Sequence, residues 1–350
     1  VHADWHFRFH DLVTVRIQEK QSIVDRLLAR PGRGYIHHRI DPGRGSGPPP
    51  DIDIRIGPFE YQHRPAVYVN RRFRVDRDYF ACEDTSKILW WKVEIAGFEG
   101  NGPARVRVDK NIFGTAALGS RIFDCLIRYH LNLRQAPAVH GCGVSAPKGV
   151  VLFVGSSGVG KSSIAMRMLE TGIPLLGDNW IILKNGRAFG FHLPINVHDY
   201  NIPDSLYRRF PVAMRLDIQF KKYCRVFSGG YLKKSCPVVL KRMFPGLAAE
   251  QGPIVRIVSL IQGETFQARA IGRDAVIRRM LATDMMDREA FYRYMLAYAT
   301  RFAASPIATH WQRLVANLDS ALPQRVETYE LTLPKMITPD ILDRIVEYID

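Results

Sequence analysis

Residues 149–171 read Gly149-Val-Val-Leu-Phe-Val154, then Gly155-Ser-Ser-Gly-Val-Gly-Lys-Ser162, then Ser163-Ile-Ala-Met-Arg-Met-Leu-Glu-Thr171. The first six form an apolar run of strand length. The last nine carry apolar residues at helical spacing, and Gly172 follows at a plausible C-cap position. The eight between them fill every fixed position of the pattern G-x-x-x-x-G-K-[ST]. Glycines let a backbone wrap a phosphate chain with successive N–H groups pointing inward, and the following helix N-terminus adds partial positive charge. In such a loop Gly155, Ser156, Ser157, Gly158, Val159, Gly160, Lys161, Ser162 and Ser163 surround the phosphates. Lys161 reaches the terminal phosphates and the Ser162 hydroxyl ligates Mg²⁺. An ordinary glycine-rich turn between strand and helix would explain the glycines but not the Lys-Ser that follows them.

The chain has 350 residues, enough for a large core and two domains. Hydrophobic residues make up 47%, which places it among globular rather than disordered chains. No apolar run approaches bilayer length and no secretory leader pattern heads the sequence, so no membrane partner is expected. Cys82, Cys125, Cys142, Cys224 and Cys236 are scattered and never spaced C-x-x-C. That argues against a disulfide framework or a zinc site and fits a reducing cytoplasm. The net charge of +15 suits polyanionic ligands. The basic doublets Arg71-Arg72, Lys221-Lys222, Lys233-Lys234 and Arg278-Arg279 are dispersed. A solvated basic surface is therefore favoured over a nucleic-acid interface, which stays open as an alternative.

Residues 1–135 read as a β-rich domain, with candidate strands at 12–17, 51–56, 66–69, 88–95 and 104–108. Residues 30–34 and 41–50 are Pro/Gly-rich, and the second stretch reads as loop or linker. An amphipathic helix is expected over 115–133, with Ile122, Cys125, Leu126, Tyr129 and Leu133 on one face. Residues 136–350 read as a second domain of α/β class with α+β character. There, hairpins interrupt the strand–helix alternation, and Asn185-Gly186 between apolar runs is a strong hairpin signal. Short strands are expected at 173–177 and 180–183, and a hairpin of 254–261 with 265–270. Helices follow at 274–285, 287–304 and 307–319, then a strand at 325–333. In the tail, Thr338 caps and Pro339 starts a helix over 340–349 that turns Ile341, Leu342, Ile345, Val346 and Ile349 inward. Residues 199–253 stay ambiguous.

Asp178, seventeen residues after Lys161, sits where an apolar strand is expected to end. A carboxylate beside a phosphate loop can hold Mg²⁺ or accept the proton of an attacking hydroxyl. It can equally be a turn residue in Gly-Asp-Asn. A guanine-reading Asn-Lys-x-Asp is absent, and no Asp-x-x-Gly follows the loop, which lowers a GTPase reading.

Val139-His140-Gly141, the loop Gly155–Ser162, and Gly172-Ile-Pro-Leu-Leu-Gly-Asp178 come in that order. Together they resemble the catalytic domain of HPr kinase/phosphorylase and, more closely, the HPr-kinase-like serine kinases. The resemblance covers about residues 138–183. It implies a phosphate-loop domain related to phosphoenolpyruvate carboxykinase, with mixed strands and hairpins. It also implies transfer of phosphate from ATP, or from ADP or pyrophosphate in some members, to a serine-type hydroxyl with Mg²⁺. Carried over by position, Asp178 is the base and a metal ligand with Ser162, and Lys161 and His140 support the phosphate site. Ile271-Gly-Arg273-Asp resembles the family's Pro-Gly-Arg-Asn segment, and Arg273 would then stabilise the transferring phosphoryl group. The sequence departs from the family at Asn179, where a second Asp is usual. It departs again at 188–197, where a glycine-rich substrate-binding signature is missing, so HPr itself is not the expected acceptor. A protein, a peptide or a small molecule fits, and a homo-oligomer is possible. The rival readings are a regulatory nucleotide-binding protein without phosphotransfer and a nucleic-acid-associated ATPase. His192, His198 and Asp199 match no strong metal-ligand spacing and read as structural.

Overall fold

The computed structural model describes residues 2–20, 31–40, 49–111, 114 and 118–349. Most of the linker expected at 41–50, the first residue of the 30–34 stretch and the start of the helix expected from 115 lie outside the described residues. The chain is mixed α/β and divides into two compact units. Unit 1 comprises Val1–Pro137 and Arg288–Asn317, and unit 2 comprises Ala138–Asp287 and Leu318–Asp350.

Unit 1 is built on β1 (His2–Phe9), β2 (Val13–Lys20), β3 (Arg39–Ile40), β4 (Ile52–Ile56), β5 (Val67–Val69), β6 (Phe73–Asp76), β7 (Tyr79–Ser86), β8 (Leu89–Ala96) and β9 (Ala104–Lys110). Among the described residues these form a nine-stranded sheet in the order β3-β1-β2-β4-β9-β8-β7-β6-β5. The pairs β2/β4 and β4/β9 are parallel and the others antiparallel. Side chains alternate along a strand, so Val13, Val15 and Ile17, then Ile52, Ile54 and Ile56, then Ala104, Val106 and Val108 fill one face. Helix α1 (Asp124–Leu133), entered through a π-helical turn at Gly119–Phe123, is buried almost all round. Four strands absent from the sequence expectation, β1, β3, β6 and β7, complete the sheet.

Unit 2 contains β10 (Ala138–Ala146), β11 (Gly149–Val154), α2 (Lys161–Glu170), β12 (Leu175–Lys184), β13 (Arg187–Gly190), β14 (Ile195–Val197), α3 (Asp204–Arg209), α4 (Val212–Phe227), β15 (Cys236–Val238), α5 (Leu240–Met243), β16 (Gln251–Gly263), β17 (Gln267–Ala270) and α6 (Arg273–Asp287). After α7 (Glu289–Ala299) in unit 1 and α8 (His310–Ala321), which crosses the division, come β18 (Glu327–Pro334) and α9 (Pro339–Val346). Among the described residues the main sheet runs β11-β10-β12-β13-β16-β18-β17, and β11 also pairs with β16, so five strands close on themselves. β11 and β16 are parallel, as are β16 and β18. Helix α2 packs on β10, β12 and α9 through its apolar stripe Ile164, Ala165, Met168 and Leu169. Ile345 and Ile349 are buried, and Ile341, Leu342 and Val346 pack against the same core. Asn185 and Gly186 both adopt positive φ (50° and 73°), and Lys184 pairs with Arg187 across the expected tight turn.

Three expectations change. The segment 288–317, read as part of the second domain, belongs to unit 1. Its aromatic residues are the reason: Trp91 Nε1 donates to Tyr294 Oη at 3.1 Å, Tyr294 donates to Asp84 at 2.8 Å, and Tyr298 donates to Glu99 at 2.7 Å. Second, β16 and β17 do not pair as a hairpin, because β18 lies between them and bonds to both. Third, the two short strands expected around Asp178 are one continuous strand. The antiparallel ladder with β10 carries through, with Cys142 opposite Asp178 and His140 opposite Trp180.

Candidate functional site

The loop Gly155–Gly160 joins β11 to α2 at the end of the parallel β11/β16 pair. Two glycines are required by geometry. A Cβ on Gly155 would stand 2.7 Å from the Leu260 carbonyl oxygen on β16. Gly160 precedes α2 at φ 109°, a conformation L side chains rarely adopt. Lys161 opens the helix and is buried, with Nζ donating to the carbonyls of Gly155 (2.7 Å) and Ser156 (2.8 Å). The ammonium thus closes the loop on itself. Burial lowers its pKa, against the opposing charges of Asp178 and Asp287.

Ser162 Oγ donates to Asp178 Oδ2 at 2.6 Å. Asp178 is buried in mid-strand, and its other oxygen, Oδ1, has no hydrogen-bond partner. Burial raises its pKa, and the Ser162 hydrogen bond and the charges of Lys161 and His140 do not offset it. The backbone is irregular at this point. Gly177 has φ 147°, and Asn179 has φ 109°, unusual for a residue with a side chain. The register of β10 against β12 shifts between Gly143 and Val144. A buried carboxylate oxygen without a partner, beside a helix-terminal serine hydroxyl, fits a hard cation that takes oxygen ligands. Among the described residues no group of three or more His, Cys, Asp or Glu side chains could hold a metal. A cation here would therefore rest on Ser162, Asp178, solvent and the ligand's own oxygens.

The ring of His140 lies 4.9 Å from that of Trp180 and its Nδ1 bonds to Asp287 Oδ2 at the end of α6. Asp287 gave no sequence signal. It emerges only because α6 ends against β10. A cleft of about 440 Å³ opens over the loop and is lined by His140, Lys161, Ser162, Asn179, Asn196, His198, Tyr200 and Lys233. His198, read from sequence as structural, stacks on Tyr200 with ring centroids 5.0 Å apart and planes 7° apart. Its neighbour Asp199 accepts two bonds from Arg225, at 3.1 and 2.6 Å. His192 is buried elsewhere, with Nε2 3.4 Å from Glu250. A second cavity of about 250 Å³ flanks the loop and is lined by His140, Gly155, Ser156, Ser259, Arg279 and Met286 among others.

The structure brings together Lys161, Ser162, Asp178 and His140, with the loop residues Ser156, Ser157, Gly158, Val159 and Ser163 around them. It does not bring Arg273. That side chain is tied to Asp319 and to the carbonyls of Leu322 and Pro323. Ile271 bonds Thr328 near the start of β18, whereas the loop lies near Leu260 and Gly160 lies against Ile337 beyond the far end of β18. Arg273 therefore sits at the opposite end of the sheet, and its assignment to a transferring phosphoryl group is withdrawn. None of the five cysteines is in a disulfide, and among the described residues no helix is long and apolar enough to cross a membrane. The fold and site define a mixed α/β chain with a strand–loop–helix element and a buried carboxylate beside its serine. Comparison with protein-family models finds no match, and neither does comparison with curated proteins.

Proposed function

We propose that unit 2 is a phosphate-loop catalytic domain that transfers the γ-phosphate of ATP to a serine-type hydroxyl, in the manner of the HPr-kinase-like serine kinases. The observation that carries this reading is the Ser162–Asp178 contact at 2.6 Å, with the second carboxylate oxygen buried and unpartnered. Phosphoryl transfer depends mostly on positioning and charge neutralisation, and these residues supply both. Lys161 turns from the loop carbonyls to the β- and γ-phosphates, while the loop N–H groups hold the chain in place. Ser162 and Asp178 would hold Mg²⁺, which when bound neutralises charge on the phosphate oxygens. Asp178 accepts the proton of the acceptor hydroxyl. The acceptor oxygen bonds to the γ-phosphorus as the bond to the β–γ bridging oxygen breaks, and ADP leaves. The raised pKa of Asp178 suits a base, since a carboxylate nearer neutrality takes a proton more readily. His140, held by Asp287, borders the same cleft and fixes the polar wall beside Asp178.

One feature favours a second reading. Asn179 lines the cleft where the resembled family has a second carboxylate. A regulatory protein that binds nucleotide without transfer would tolerate that amide. Transfer of label from γ-labelled ATP separates the two. It is run with Mg²⁺, in a lysate freed of small molecules and separately with hydroxyl metabolites. Label entering one acceptor with the native chain, and not with Lys161→Ala, supports the kinase. Nucleotide binding with label appearing only as free phosphate, or unmoved, supports the regulatory protein.

A further inference from the structure

Helix α4 (Val212–Phe227) is apolar on two opposite sides. One side seats buried Ile218 and the partly buried Met214 against the core. The other presents Val212, Leu216, Phe220, Tyr223 and Phe227 at spacings of four, four, three and four, the repeat of a single helix face. They are 61%, 65%, 67%, 59% and 87% exposed. Tyr231 and Leu232 extend the patch past the helix end at 92% and 50% exposure. Large apolar side chains scattered singly need no explanation, but a contiguous helical stripe marks an interaction face. None of these seven residues lines either cleft described above.

The charges around the stripe decide what covers it. From 204 to 235 the chain carries eight Arg and Lys residues against Asp204 and Asp217; Lys221 is paired with Asp217 and Arg225 with Asp199, so the basic excess rests on Arg208, Arg209, Arg215, Lys222, Lys233 and Lys234. A second copy meeting this face with the same face would oppose like charges. The stripe lies on a helix whose far side is already seated, and it carries Phe and Tyr. That is the pattern of a helix lying in a membrane–water interface, with aromatic and aliphatic side chains in the acyl boundary and lysines over anionic headgroups. We infer that α4 docks the protein peripherally on an anionic lipid surface. Peripheral docking requires no crossing helix. The segment 228–235 joins α4 to Lys233 at the cleft, so the docked face would border the mouth of the proposed active site. The inference stands whether or not the site transfers phosphate.

The test is co-sedimentation of the full chain with large unilamellar vesicles of phosphatidylcholine alone, and of phosphatidylcholine with added phosphatidylglycerol, at low and high salt. The native chain is expected to pellet with the anionic vesicles only, and to be released by salt. Lys222→Gln with Lys234→Gln should weaken binding about fivefold per lysine removed. Leu216→Gln/Phe220→Gln/Phe227→Gln should abolish it, with an unchanged circular dichroism spectrum and thermal midpoint showing that the fold is kept. Failure to pellet with either vesicle overturns the inference, as does equal binding to both or binding unaffected by the triple variant. Light scattering that finds a native dimer dispersed by the triple variant would overturn it too, assigning the stripe to a second copy.

Discussion

Asp53 and Asp178 are both largely buried aspartates in the interior of β-strands, and they are used oppositely. On β4 of unit 1, Asp53 stands in register with Arg16 of β2 and accepts from its Nε and a terminal nitrogen, both at 2.8 Å. Burial would push its pKa up, but the hydrogen bonds and charge of Arg16, helped by Arg55, outweigh that and hold it below the ordinary carboxylate range. Asp178 of unit 2 is still more buried, accepts one serine hydroxyl and leaves its second oxygen orphaned, and burial wins. A carboxylate whose lone pairs are filled by its own fold stabilises the fold. One left half-filled behind Ser162, which itself lines the cleft, is on the proposed reading held for something that arrives.

The sharpest way to break this comparison is to replace each by its amide. Asp178→Asn is expected to lower phosphotransfer turnover about 10²–10⁴-fold, the usual scale for a lost general base, with nucleotide affinity largely kept. Asp53→Asn should leave turnover alone. Stability should move the other way. Asp53→Asn removes a charge-assisted pair that is partly open to water, and should cost about 1–2 kcal/mol in denaturant unfolding. Asp178→Asn removes a charge disfavoured by burial and should leave the midpoint unchanged or raise it. An Asp178→Asn chain as destabilised as Asp53→Asn would make Asp178 a structural residue.

Titration sharpens the same contrast with a smaller effect. The pKa of Asp178 is raised in the fold, so below its ordinary value it costs nothing. As pH rises through the raised value its ionisation removes stability, and Asp178→Asn should flatten that slope. Turnover, which needs the ionised base, should fall on acidification at a pH above the ordinary carboxylate range. Asp53 is lowered in the fold, so its stabilisation is complete above the ordinary pKa and is lost only as pH falls through the lowered value. An acid limb of turnover unmoved by Asp178→Glu would detach that limb from Asp178.

Local signals survived the passage from sequence to structure, and non-local ones did not. The strand, the loop and the helix of 149–171 were legible because apolar periodicity and a fixed glycine pattern are properties of short windows. The Asn185-Gly186 turn was legible for the same reason. The insertion of β18 between β16 and β17 was not, because adjacent apolar runs look like a hairpin whether or not a distant strand separates them. The return of 288–317 to unit 1 depends on Tyr294 and Tyr298 finding Trp91, Asp84 and Glu99 about two hundred residues earlier. At the site, Lys161, Ser162 and Asp178 could be chosen from spacing. Asp287 could not, since nothing near it in sequence marks it, and only the end of α6 against β10 brings it to His140. Arg273 fails for the converse reason: a local likeness carried no information about which end of the sheet it would occupy.

The smallest effect concerns how Asp178 is held. Asn179 keeps φ 109° directly after it, between Asp178 and the His140–Trp180 pair. Such backbone is open to glycine and strained for any side chain, at about 1–3 kcal/mol, and it persists only where surrounding structure over-determines it. The ladder to β10 supplies that constraint through Gly141, opposite Asn179. Asn179→Gly relieves the strain but loses about 0.5–1 kcal/mol to greater chain entropy, so a net gain between about 0 and about 2.5 kcal/mol is expected. Asn179→Ala keeps the strain and loses the amide. Denaturant midpoints should therefore rank glycine above asparagine and asparagine above alanine. An alanine variant as stable as the glycine variant would mean that this backbone conformation costs nothing. The position of Asp178 would then follow from strand pairing alone, as that of Asp53 does.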